Sequence, residues 1–196
     1  MSLKQTPSQT VGPFFAIGLT APQYGYPHSA IVSGDLADES TDGERIEIAG
    51  QVLDGAGVPV TDALIEVWQA DAEGRYAHPA DGRASNQNFR GFGRFGTGTE
   101  AENVFRFRTV KPGCVDGVQA PHINVTIFMR GMLTHAYTRL YFSDEAAANA
   151  RDPVLRSVPE DRRKTLIAHR DESSQKPLYR FDIHMQGDDE TVFFDV

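Results

Sequence analysis

The residues in this sequence that could carry acid–base or metal chemistry near neutral pH are its histidines, because imidazole both transfers protons and binds metals. There are six: His28, His78, His122, His135, His169 and His184. No two of them have the H-x-H or H-E-x-x-H spacing that brings two imidazoles to one face of a strand or helix. A Ser-His-Asp arrangement stays open, although no G-x-S-x-G segment indicates a nucleophilic serine. We expect most of the six to be exposed or hydrogen-bonded, with His122 the strongest functional candidate.

Two further segments match known motifs as text. The segment GFGRFG at 91–96 fits the dinucleotide pattern G-x-G-x-x-G, which needs a strand before it and a helix N-terminus after it. Here TGTE and then a strand-like segment follow, so we interpret 91–96 as a turn-rich connection and expect no nucleotide site. The glycosylation sequon at 124–126 lies inside a predicted core strand, and we interpret it as accidental.

The composition limits the classes of partner. The chain has 196 residues, with 19 Lys and Arg against 27 Asp and Glu, for a net charge of −8. Such a charge disfavours nucleic-acid binding, and an anionic ligand would need a local basic group. The single cysteine, Cys114, excludes an internal disulfide or a cysteine-based zinc site. No apolar run approaches the roughly 18 residues of a membrane span, and the N-terminus does not resemble a secretory signal. We therefore expect a cytoplasmic protein without membrane contact.

The pattern of residues 45–196 predicts one all-β domain. Apolar residues alternate with polar ones, or form short buried runs, in segments near 46–52, 63–70, 104–108, 123–129, 135–142, 179–185 and 191–195. Only 143–150 and 157–168 look helical, and the second begins with the capping-box form S-x-x-E. Short strands separated by Gly and Pro turns indicate an antiparallel β-sandwich with one or two short helices.

Residues 1–44 form a separate N-terminal arm in this interpretation. Pro7, Pro13, Pro22 and Pro27 break any regular pattern, so we expect irregular structure and no helix. The arm is nevertheless too rich in apolar residues for a disordered tail. We expect it to pack on its own domain or on a partner.

From residue 45 onward a series of segments follows in a specific order and spacing: IAGQVLDG at 48–55, GVPV at 57–60, ALIEVWQAD at 63–71, GRY at 74–76, FRFRTVKPG at 105–113, APHI at 120–123, TRLYF at 138–142 and YRFDI at 179–183. In this order and spacing the sequence resembles the intradiol ring-cleavage dioxygenases. The resemblance implies a β-sandwich enzyme that opens a catechol ring with O2. It also implies Fe(III) bound by two Tyr and two His, a set in which hard phenolate oxygens favour the ferric ion.

The sequence departs from that family at the ligand positions. The family's H-x-H pair is His122 and Asn124 here, and the tyrosine after the K-P-G turn is Val115. No tyrosine stands in 77–88, where the other is expected, and the family's active-site arginine is Gln119. Valine cannot bind a metal and Asn is a weak ligand, so the resemblance predicts no metal site on this chain and leaves His122 as a remnant.

The segment TPSQTVGPFF at 6–15 resembles the iron-free subunit of family members that are built from two kinds of chain. That resemblance implies an iron-binding partner subunit of the same fold, a higher oligomer, and O2 and a carboxylated catechol as substrates. It also implies that Thr10, Gly12, Pro13, Phe14 and Arg130 line a substrate pocket shared with the partner. A stand-alone β-sandwich binding module and a metalloenzyme with an unrecognised site are the alternatives.

Overall fold

The computed structural model describes residues 4–83 and 88–195, and strands dominate them. The strands are β1 (Arg45–Gly50), β2 (Val52–Leu53), β3 (Leu64–Gln69), β4 (Phe92–Gly96), β5 (Phe105–Val110), β6 (His122–Phe128), β7 (Ala136–Phe142), β8 (Ile167–Arg170), β9 (Leu178–Arg180) and β10 (Ile183–His184). Three short α-helices accompany them: α1 (Phe14–Leu19), α2 (Ala146–Asn149) and α3 (Pro153–Ser157). Four 3₁₀ segments span Ala21–Tyr24, Ala101–Asn103, Ser143–Glu145 and Glu160–Leu166.

Eight of the strands form one curved sheet in the order β4-β3-β6-β7-β8-β9-β1-β5, and β10 pairs with β2. The pairs β7–β8, β1–β9 and β2–β10 are parallel and the others are antiparallel, so the sheet is mixed. Its two halves face each other across one core of apolar side chains from both, among them Ile48, Phe107, Ile65, Val125 and Leu140. Burial of these side chains is the main stabilising contribution to the fold, and the predicted all-β sandwich is confirmed.

Strand β6 separates the core from an outer layer. Its buried residues Ile123, Val125 and Ile127 point into the sandwich, so His122, Asn124 and the other alternate residues point to the opposite face. The register places Trp68 of β3 beside Asn124, and Asn124 beside Arg139 of β7. The outer face of three adjacent strands therefore carries one row of side chains that could bind a ligand or take part in chemistry.

The N-terminal arm packs on the sandwich of its own chain. The Leu36 N–H donates to the Arg108 carbonyl of β5, and the Arg94 N–H of β4 donates to the Ser33 carbonyl. The arm thus covers both edges of the long sheet, which leaves fewer unpaired strand groups in solvent. Near its start, Phe15 packs against Phe128 at the end of β6, with the rings tilted and their centroids 5.4 Å apart.

Several local expectations need correction. The arm is irregular over most of its length, but Phe14–Leu19 forms helix α1, because Ala16 is fully buried when this turn packs on the sheet. Residues 92–96, expected to be a turn, form strand β4, whose Gly93 leaves room for the side chain of Leu36.

The C-terminal half also differs in detail. Strand β8 lies where the second helix was predicted to end, and the helical part is the 3₁₀ segment Glu160–Leu166. Pro159, not Ser157, stands at its N-cap, and no side chain caps it, so the predicted capping box is wrong. Within 191–195, where a strand was expected, the only pairing among the described residues is a single bridge from Phe194 to Tyr137.

Candidate functional site

His122 lies at the start of β6 and is only 1% exposed. Its Nδ1 is 2.7 Å from the Ala120 carbonyl oxygen, and its Nε2 is 3.4 Å from the Tyr76 hydroxyl. A carbonyl only accepts, so Nδ1 carries the proton and Nε2 accepts from the phenol. Burial, and then the positive charge of Arg139, lower the pKa of His122 to about 4. The imidazole is therefore neutral at physiological pH and already has two partners.

Asn124, at the position of the family's second histidine, holds an arginine. Its Oδ1 accepts a hydrogen bond of 2.8 Å from Arg139 Nε, and its Nδ2 donates to the Trp68 carbonyl at 3.3 Å. Arg139 Nη1 donates in turn to Gln119 Oε1 at 2.9 Å. Gln119 is the residue at the position of the family's active-site arginine. Two substituted positions therefore share one guanidinium, which was not among the residues predicted from the sequence.

The remaining positions do not supply anionic ligands. Val115 is 4% exposed and lies in a turn closed by its backbone bond to Gln119. Of the segment 77–88, in which no tyrosine occurs, residues 84–87 lie outside the described part of the chain. The nearby phenol of Tyr76 stays protonated, because burial raises its pKa.

A neutral imidazole, an amide and a guanidinium do not fit a ferric ion, which needs hard anionic donors. In residues 4–83 and 88–195, no three His, Cys, Asp or Glu side chains form a group that could hold a metal ion.

A buried carboxylate, that of Asp152, stabilises the chain around His122. Asp152 is fully buried and caps helix α3, accepting from the Leu155 N–H at 2.8 Å. It also accepts from the Ala120 N–H at 2.8 Å and from the Tyr141 hydroxyl at 3.1 Å. Asp152 thus fixes the loop that leads into His122. Asp152 was not among the residues predicted from the sequence, although an Asp directly before a Pro is typical of a helix N-cap.

A second cluster forms where the arm meets the loop after β6. The Gly131 N–H donates to Thr10 Oγ1 at 2.9 Å, which ties the arm to the residue after Arg130. Arg130 Nε lies 2.5 Å from Asp62 Oδ2, and the Arg130 side chain is 60% exposed. This contact is an ion pair without hydrogen-bond geometry. The structure therefore brings Thr10 and Arg130 together as neighbours of one loop.

The other three predicted pocket residues lie next to Thr10 on the arm. Gly12 accepts a backbone bond from Phe15, and a Cβ added at Gly12 would have no atom within 4 Å. Pro13 is the N-cap of α1, and Phe14 is 76% exposed. This end of the arm presents open space and an apolar ring to the outside of the chain.

The two clusters lie at opposite ends of β6. His122 is the first residue of that strand and Phe128 the last, so about six residues of extended chain, or about 20 Å, separate them. We call the cluster of His122, Asn124, Gln119 and Arg139 the remnant site. The arm does not complete this site in its own chain. If Thr10 and Arg130 line a pocket, the opposite wall of that pocket is therefore not the remnant site of the same chain.

Comparison with known proteins identifies the class to which this fold and this altered site belong. The family model named Dioxygenase_C and described as "Dioxygenase" matches residues 19–187. The chain belongs to the intradiol dioxygenase family. It is 55% identical over 196 residues to the protocatechuate 3,4-dioxygenase alpha chain of Burkholderia cepacia, covering 100% of this chain and 99% of that one.

Two other relatives agree with this assignment, and two solved structures have the same fold. The alpha chain of the same enzyme from Pseudomonas putida is 47% identical, over 98% of this chain and 97% of its own. The beta chain from Burkholderia cepacia is 35% identical, over 87% of this chain and 79% of its own. The fold matches an intradiol ring-cleavage dioxygenase from Tetranychus urticae (TM-score 0.62, 18% identity, 81% and 88% covered). It also matches a dioxygenase domain from Streptomyces sp. SirexAA-E (TM-score 0.58, 24% identity, 96% and 100% covered).

No helix within residues 4–83 and 88–195 has the length and apolar character to cross a bilayer.

Proposed function

We propose that this chain is the α subunit of a protocatechuate 3,4-dioxygenase and acts only together with an iron-bearing β subunit of the same fold. The observation that carries the proposal is the identity of 55% to an alpha chain over the whole length of both proteins. The reaction would open 3,4-dihydroxybenzoate between its two hydroxyl-bearing carbons, with both atoms of O2 entering 3-carboxy-cis,cis-muconate. The assembly would be a higher αβ oligomer in the cytoplasm.

The division of labour rests on the chemistry of the remnant site. The donors around His122 suit a guanidinium and not Fe(III), so the ferric ion would belong to the β subunit. When bound there, iron supplies the chelation that activates the catecholate ring toward O2. This chain would contribute binding, orientation and enclosure.

The pocket residues of this chain would be Thr10, Gly12, Pro13, Phe14 and Arg130. The separation of this cluster from its own remnant site supports a role toward a second chain. The ion pair with Asp62 is made by Arg130 Nε, and within residues 4–83 and 88–195 the terminal amino groups of Arg130 have no hydrogen-bond or ion-pair partner. A guanidinium suits a substrate carboxylate. In a chain with net charge −8, such a local cation is needed to attract an anionic substrate.

Co-expression with an iron-bearing β subunit tests the proposal. This chain alone is expected to show no O2 uptake with protocatechuate, and the co-purified pair is expected to cleave the ring. Activity of this chain alone would overturn the proposal. A chain that does not associate with a matched β subunit, or that gives no activity when associated, would favour the stand-alone binding module.

A further inference from the structure

The register of two strands places Asp62 beside Arg130. In the antiparallel pair of β3 and β6, the end of the ladder is the pair of Leu64 with Phe128. Asp62 and Arg130 each stand two residues beyond that pair, and side chains two residues apart along extended chain lie on the same face of a sheet. The two side chains accordingly meet, with Arg130 Nε 2.5 Å from Asp62 Oδ2.

Asp62 is a carboxylate with a single ion-pair partner. Its side chain is 14% exposed, and its Oδ2 is buried without a hydrogen-bond partner among the described residues. Within residues 4–83 and 88–195, Arg130 is the one cation within 4 Å of Asp62, and Asp62 is the one carboxylate within 4 Å of Arg130. A largely desolvated charge that one cation compensates keeps that cation close.

The backbone next to Asp62 is held firmly in place. The Ala63 N–H donates to Thr97 Oγ1 at 3.0 Å, and the Thr97 N–H donates back to the Ala63 carbonyl at 2.9 Å. Both of these residues are fully buried. The Tyr24 hydroxyl of the arm donates to the Thr97 carbonyl at 3.1 Å, and burial, then the negative charge of Asp62, raise the pKa of Tyr24. Asp62 therefore stands on a base formed by β3, the residue after β4 and the arm.

Arg130, in contrast, has little else to hold it. It lies in the loop after β6, and its side chain is 60% exposed. Fixing such a long side chain in one direction costs rotamer entropy. Because Asp62 contacts Nε, where the planar group begins, Nη1 and Nη2 extend beyond the contact. An ion pair with one solvated member contributes little to stability, so the main effect of Asp62 is on the direction of the guanidinium.

We propose that Asp62 is a positioning residue, which holds Arg130 by Nε so that its two terminal amino groups face a carboxylate in the pocket shared with the β subunit. The proposal rests on the proposed function, which supplies that pocket and that substrate. Asp62 touches no substrate and acts only through Arg130. It also offsets part of the charge of Arg130, so the direction of the guanidinium counts for more than its field.

The first test uses the isolated chain and needs no activity. In a ¹⁵N-labelled chain, the Arg130 Nε–H signal is identified by its absence from the Arg130→Gln spectrum. It should exchange slowly with water in the wild type and several times faster in Asp62→Asn, which keeps the size of the side chain without its charge. Asp171→Asn is the matched control, because Asp171 pairs with Arg180 and not with Arg130. An Arg130 signal that is unchanged in Asp62→Asn would overturn the proposal.

The second test is a double-mutant cycle in the complex with the β subunit. Asp62→Asn should lower kcat/KM for protocatechuate about three- to tenfold and leave that for catechol nearly unchanged. In a chain that already carries Arg130→Gln, Asp62→Asn should have no further effect. Equal losses for both substrates, a loss that persists beside Arg130→Gln, or a gain for protocatechuate would refute the positioning role.

The two tests separate this proposal from the proposed function. An inactive complex with wild-type α chain would contradict the proposed function itself. The exchange rate of the Arg130 Nε–H would still decide whether Asp62 holds Arg130.

Discussion

Replacing Arg130 with glutamine is expected to impair the assembled enzyme selectively toward a carboxylated substrate. The guanidinium lies on the loop that Thr10 ties to the arm, and its Nε is held by Asp62. Glutamine keeps a polar side chain but removes the charge that would meet a carboxylate. Catechol has no carboxylate, so its cleavage should be almost unaffected.

The size of the effect follows from the exposure of Arg130. A charged hydrogen bond contributes about 1.5 to 3 kcal/mol, and solvent screening reduces that for a group as exposed as this one. Its side chain is 60% exposed in the isolated chain, and part of its charge is compensated by Asp62. The expected loss of transition-state stabilisation is therefore about 1 to 2 kcal/mol, or about 5- to 30-fold in kcat/KM.

Steady-state O2 uptake by the co-purified complex, with protocatechuate and with catechol, measures this difference. Arg180→Gln is the matched control, because Arg180 is 52% exposed and also forms an ion pair, with Asp171 at 3.5 Å. Equal losses for both substrates in Arg130→Gln would show that Arg130 serves the fold or the interface. An unchanged kcat/KM for protocatechuate would refute the electrostatic reasoning altogether.

Three further predictions concern the arm and the remnant site. Gly12→Ala should raise KM for protocatechuate in the complex without lowering the melting temperature of the chain. Gly18→Ala is the control, because a Cβ added there also has no atom of this chain within 4 Å, and it should leave KM unchanged. Equal kinetics for both variants would contradict a pocket role for Gly12. Asp152→Ala should destabilise the chain by about 2 to 4 kcal/mol in denaturant titrations, because it leaves buried N–H donors without an acceptor and removes a helix cap. Asp161→Ala, at an exposed position, should have little effect. Similar unfolding midpoints for the two variants would refute this. The stability of the wild type should fall as pH decreases from 6.5 toward 4, by up to about 3 kcal/mol, because unfolding lets His122 take a proton that its lowered pKa refuses in the fold. His122→Gln should flatten that slope, and an unchanged slope would show that His122 titrates normally.

Much of the sandwich could be predicted from alternating residues and short buried runs, because half-buried strands show a period of two and fully buried ones are apolar throughout. The cores of β1, β3, β5, β6 and β7 lie where such segments were predicted. Strand β4 was missed because its glycines read as turn residues, although Gly93 is there to admit Leu36 from the arm. Helix α1 was missed because its stability comes from packing on the sheet and not from local propensity.

The remnant site could be located from the sequence but not understood from it. The substitutions at Asn124 and Gln119, near the retained His122, were visible as departures from a family pattern. The guanidinium that binds both of them was not, because Arg139 comes from the neighbouring strand and reaches them through register. Strands β6 and β7 are consecutive, but which of their residues lie side by side depends on the register between them, and that register has no local sequence pattern.

The iron content of the separated and reassembled subunits tests the central claim most directly. Metal analysis and visible spectroscopy of the isolated chain should find no bound iron and no tyrosinate-to-iron colour, even after incubation with ferric salts. The complex with its β partner should contain one iron for each pair of chains. Stoichiometric iron on the isolated chain, or two irons for each pair, would contradict the proposal that this chain holds no metal and serves another subunit's pocket.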